Sequence, residues 1–124
     1  MPKFAVIKLE EVVGRVAFYK LSIDGECPFD EFWENATKDG NMQSELKRLS
    51  AMFQNFANGI NLPGTKYHTL ENIPHAAEFK TSHLRVYILQ EKDTGKIIIM
   101  GGKKKNQKSD LKKLQKIVNQ YLNR

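Results

Sequence analysis

Apolar and polar positions alternate at period two over residues 15–23, where Ala17, Tyr19, Leu21 and Ile23 share a face, and this spacing predicts a strand. Residues 3–9, rich in β-branched and aromatic side chains, predict another. Asp24-Gly25 closes this strand pattern as a turn. The period then lengthens. Pro28 suits a first helical position, and Asp30 and Glu31 complement a helix N-terminus. Residues 28–37 therefore predict a short helix carrying Phe29, Phe32, Trp33 and Ala36 into the core. After the break at Asp39-Gly40-Asn41, Met42, Leu46, Leu49, Phe53 and Phe56 form one stripe of a helix over 42–58, stopped by Gly59.

Residues 62–74 hold two prolines and little periodicity, which reads as a loop. Three strands are expected next, at 76–80, 84–90 and 96–101. Residues 81–83 make the first turn, and Lys92-Asp93-Thr94-Gly95 is a strong hairpin signal for the second. Ser109 and Asp110 suit the cap of a last helix whose Leu111, Leu114, Val118 and Tyr121 share a face. The order predicts an α+β fold: N-terminal strands, two helices, an antiparallel β-meander and a C-terminal helix, with the helices against one face of the sheet. Without repeats or a low-complexity linker, residues 1–124 read as a single domain.

Charge changes the picture. Nine of the twenty Lys and Arg residues fall in the last twenty-nine positions, opposed there by Asp110 alone, while the body is near neutral. This asymmetry is an electrostatic address for a polyanion, above all nucleic acid. On the residues alone, a lysine-rich stretch is as readily a solvated loop. Composition excludes other classes: 40% apolar and 27% charged residues describe a globular chain. No apolar run is long enough to span a bilayer, and no leader pattern is present, so a cytoplasmic location without membrane contact is expected. Cys27 has no cysteine partner, and His68, His75 and His83 share no metal-ligand spacing, so neither a metal nor another cofactor is expected.

Three motifs, at their spacing, resemble the RelE/HigB group of bacterial type II toxins. Glu78-Phe79-Lys80, a short turn, and Leu84-Arg85-Val86-Tyr87 resemble the family's acidic–apolar–basic strand followed by an Arg-Val/Leu-aromatic strand. Ile97 to Met100 with Gly101 is similar to its apolar strand running into a glycine. Lys104-Lys105-Asn106-Gln107-Lys108-Ser109 is similar to its Lys-Lys-Thr-Gln-Lys-Thr run before the last helix. Gly102 stands where the family usually has an aromatic residue, Asn106 replaces Thr, and residues 1–14 are extra.

The resemblance implies a RelE-like fold and metal-independent cleavage of mRNA at the ribosome, with a cognate antitoxin as partner. Such chemistry uses the RNA 2′-hydroxyl as nucleophile and needs a base, an acid and cations around the phosphate. The expected catalytic set is Lys80, Arg85, Lys104 and Lys105. Arg85 is suited to clamp a phosphate with its planar guanidinium. Crowding among cations favours the neutral amine, the form in which Lys80 or Lys104 accepts a proton. Lys103, Gln107, Lys108 and Tyr87 are expected to touch RNA, Tyr87 by stacking on a base. Gly101 and Gly102 are expected to let backbone approach phosphate closely. His83 and Tyr121 are the candidate acids or bases. A non-catalytic or gyrase-directed member of the same superfamily, binding a partner through this surface, is the alternative. A plain nucleic-acid-binding protein outside the family is a third reading. The chain itself does not specify its oligomeric state.

Overall fold

Two unbroken apolar or aromatic runs, Val86-Tyr87-Ile88-Leu89 and Ile97-Ile98-Ile99-Met100, dictate the architecture. Side chains on a strand alternate between faces, so consecutive apolar residues require cover on both. In the computed structural model, which describes residues 2–91 and 95–124, these runs lie at the centre of the sheet. Its strands are β1 (Phe4–Lys8), β2 (Phe18–Ile23), β3 (Tyr67–Thr69), β4 (Ala76–Lys80), β5 (Leu84–Glu91) and β6 (Gly95–Lys103). The helices are α1 (Pro28–Thr37), α2 (Gln43–Ala57) and α3 (Gln107–Leu122). The strands lie in the order β1-β2-β6-β5-β4-β3, antiparallel throughout except for β2 and β6. Those two run parallel from Phe18 beside Lys96 to Lys20 beside Ile98.

The chain is thus α+β, but its helices cover both faces of the sheet and not one. On the first face, Phe29 of α1 and Leu46, Leu49 and Phe53 of α2 bury Phe18, Phe79, Val86, Ile88 and Ile98. On the second, Leu114, Val118 and Tyr121 of α3 cover Leu21, Tyr87, Leu89, Ile97 and Ile99. Helices on one face alone would have left this second set in water.

Three local features stand out, two of them departures from the sequence pattern. Tyr67–Thr69, inside the segment expected as loop, pairs with β4 as the edge strand β3, and the Tyr67 ring centre lies 4.9 Å from that of Phe79. Gly95 takes φ +100° against the Ala17 carbonyl, where a side chain has neither the backbone freedom nor the room. The other hairpin residues, Lys92 to Thr94, lie outside the described residues. Finally, Asp110 does not cap α3. Asn106 precedes the helix, a 3₁₀ turn (Lys104–Asn106) leads into it, and Asp110 is buried within its first turn.

The pairing of β5 with β6 shifts at Tyr87 and Ile88, which places Ile98 on the first face but Ile99 and Met100 among the side chains of the second. Beyond this bulge a β-carbon on Gly101 would overlap the Phe32 ring, and one on Gly102 would overlap the Asp110 carboxylate. The two glycines make room for side chains of α1 and α3, and not for an approaching phosphate.

Phe79 has no exposed surface and packs against Phe18, Phe53, Phe56 and Tyr67. Phe79→Ala is expected to cost about 3–5 kcal/mol, read as a lower denaturant midpoint at unchanged slope. A loss under about 1 kcal/mol would contradict this packing.

Candidate functional site

Antiparallel pairing places Lys80 directly opposite Arg85 across the β4–β5 turn. Arg85 is 7% exposed, and its Nη1 donates to the carbonyls of Thr81 (2.7 Å) and Leu84 (2.8 Å), closing the turn from beneath. Its charge still reaches a cavity of about 500 Å³ lined also by Arg48, Lys66, Lys80 and Lys104. Among the described residues no carboxylate lines that cavity. Five cations around one concavity raise the local concentration of any anion, and they do so most strongly at low salt. Arg48, on α2, and Lys66, just before β3, are members that the sequence did not single out.

Next to this cavity stands a pair of acid–base groups. Glu45 projects from α2, is only 4% exposed, and accepts from the turn that joins β4 to β5. The Thr81 hydroxyl and the His83 backbone N–H (2.7 Å) donate to its Oε1, and its Oε2 lies 2.7 Å from His83 Nδ1. Burial by itself would raise the Glu45 carboxyl, but these hydrogen bonds outweigh it and hold the group below its ordinary 4.5. With Nδ1 donating to the carboxylate, Nε2 is the nitrogen free to exchange a proton. The His83 side chain is exposed and shares a cavity of about 470 Å³ with Met42, Lys103, Lys104 and Lys105. The Lys104 backbone N–H donates to the His83 carbonyl (2.8 Å), so the lysine turn and the histidine turn are tied together. Lys104 lines both cavities.

The structure therefore brings together Lys80, Arg85, His83, Lys103, Lys104 and Lys105. It separates the others from them. Lys108 is exposed on the first turn of α3 but lines none of these cavities. Gln107 donates to Glu78 (2.8 Å), a carboxylate 2% exposed that also lies 3.0 Å from His68 Nε2, so its amide is committed to the fold and not to RNA. Tyr87 is wholly buried beneath α3, with a hydroxyl pushed upward by burial and without a hydrogen bond, and has no face to offer a base. Tyr121 lies in the last turn of α3, 3% exposed and edge-on to Phe4 at 5.4 Å, which removes it as an acid for this site. Its phenol, too, is shifted upward by burial. Among the described residues no three His, Cys, Asp or Glu side chains gather as a metal set, and no helix is long and apolar enough to cross a membrane.

Glu45 was the residue the sequence could have offered. It falls on the apolar stripe of its helix, between Met42 and Leu49, where a carboxylate must find partners or be expelled. No family model matches the chain, and comparison with curated proteins and solved structures finds no match either.

The lowered Glu45 carboxyl stabilises the fold above the unfolded value near 4.5, and that contribution disappears as pH falls through the folded value. Glu45→Gln is therefore expected to melt below the wild type at pH 7, with the gap closing as pH drops below about 4.5. A gap that stays constant with pH would contradict the clamp.

Proposed function

We propose that this chain is a metal-independent ribonuclease of the type II toxin kind. What supports the reading is one arrangement: an imidazole held by a buried carboxylate, set among cations at the mouth of a carboxylate-free cavity. The reading takes the antiparallel β4–β5–β6 meander and the closing α3 as RelE/HigB-like, while the placement of the helices on both faces of the sheet differs from the expected arrangement.

In this reading the phosphate backbone lies over Lys80, Arg85 and Lys104, which neutralise charge as it develops on the scissile phosphate. The RNA 2′-oxygen attacks phosphorus and the bond to the 5′-oxygen breaks, leaving a 2′,3′-cyclic phosphate and a 5′-hydroxyl. His83 Nε2 exchanges the proton at one of these oxygens, with Glu45 fixing the ring and stabilising its charged form. The amine of Lys104 or Lys105 serves the other. An acidic antitoxin segment would dock on the same cations, and such a protein would act in the cytoplasm on mRNA.

Purified protein is expected to cleave single-stranded RNA in the presence of a chelator, and its expression to arrest growth. His83→Ala should lower the cleavage rate about 100-fold or more with RNA affinity retained, the range for a general acid or base. Lys66→Ala, in the cavity but outside the reacting groups, should instead weaken binding and reduce its salt slope by about one. Salt-dependent RNA binding without cleavage by the wild type would assign the surface to binding alone. Absence of binding at low salt would overturn the proposal.

A further inference from the structure

Where neighbouring parallel strands send their following helices to opposite faces, their carboxyl ends leave a crevice, and open sheets take ligands there. β2 and β6 are such a pair, since α1 follows β2 onto the first face and α3 follows β6 onto the second. Their pairing stops at Ile98, and beyond it the end of β6 borders a crevice of about 560 Å³, the size of small-ligand sites. Gly101, Gly102, Phe32 of α1 and Asp110 of α3 are among the residues that line it.

Asp110 is the feature that needs explanation. It is 8% exposed, yet among the described residues it makes no hydrogen bond or ion pair; Lys113 influences it only through its field. A carboxylate largely withdrawn from water and without donors from the protein is costly, and one lining a groove is open to donors that a ligand can bring. The crevice also meets the His83 cavity, because Met42 and Lys103 line both.

We propose that this crevice is a guanine subsite for RNA lying across the His83 surface. Guanine alone among the RNA bases presents two adjacent donors, N1–H and N2–H, on its pairing edge. A carboxylate accepts both at once. Phe32 and Met100 give the ring apolar walls, and Lys103 at the shared boundary takes the phosphate. Glu31 and Asp39, also in the lining, disfavour a phosphate inside. The inference rests on the ribonuclease reading of the His83 surface.

The test is fluorescence anisotropy with uncleavable 2′-deoxy hexauridylates carrying one central guanine, adenine or cytosine, on the wild type and Asp110→Asn. The expected result is a preference for guanine of roughly 5- to 150-fold, the range for a bidentate pair, lost in Asp110→Asn. The variant should keep salt-dependent binding of oligouridylate and melt no lower than the wild type, since it removes an unpaired buried charge. Competition on the wild type by free guanosine monophosphate, stronger than by adenosine monophosphate, checks the subsite without any variant. Equal binding of all oligonucleotides, or a guanine preference that survives in Asp110→Asn, overturns the subsite and leaves the ribonuclease reading standing. No RNA binding at all overturns both.

Discussion

The Glu45 carboxylate holds the functional end of this molecule together. It is buried on α2, and its charge is tolerable because the Thr81 hydroxyl, the His83 backbone and the His83 ring all point at it. That clamp fixes the β4–β5 turn to the helix layer. The turn in turn places Lys80 opposite Arg85 and receives the Lys104 N–H at the His83 carbonyl. Removing one carboxylate would free a histidine, a turn and the lysine-rich 3₁₀ segment at once.

A second constraint acts at the other end of the cation cluster. The bulge in β6 turns Gly101 toward Phe32 and Gly102 toward Asp110, so that helices on opposite faces close on the strand end. Between them they border a crevice lined by the Asp110 carboxylate, while the adjoining His83 cavity is lined by Lys103, Lys104 and Lys105 and, among the described residues, by no carboxylate. Opposite charge preferences lie side by side, with Lys103 and Lys104 at the boundaries. A phosphodiester chain with a base bearing two donors satisfies both.

Local patterns carried most of the fold. The stripes of α1 and α2, the Pro28 start, the strand over 76–80 and the core face of α3 are as periodicity predicts. The layer arrangement was misjudged: the element order predicts helices on one face, although Val86 to Leu89 and Ile97 to Met100 lack the alternation of a one-sided sheet. Strand β3 was not legible: three residues give no period, and its place comes from the ring contact of Tyr67 with Phe79. The basic cluster was visible as charge, but Arg48 and Lys66 join it only through tertiary packing. Tyr87 and Gln107 look like contacts in a linear motif, whereas the alternation of β5 and the phase of α3 turn them inward. His83 was a candidate acid or base from the sequence, but nothing there pairs it with the carboxylate thirty-eight positions earlier.

The central claim is that RNA lies over the Glu45–His83 clamp and its surrounding cations. The most direct measurement is nuclear magnetic resonance mapping of backbone amides and imidazole nitrogens during titration with a 2′-deoxy, uncleavable oligonucleotide at low salt. The account predicts that the largest shifts fall on His83 Nε2, Lys66, Lys80 and Lys103 to Lys105, and that they fade as salt rises. Shifts confined to another face, or a His83 ring that does not respond while the oligonucleotide binds, would contradict it.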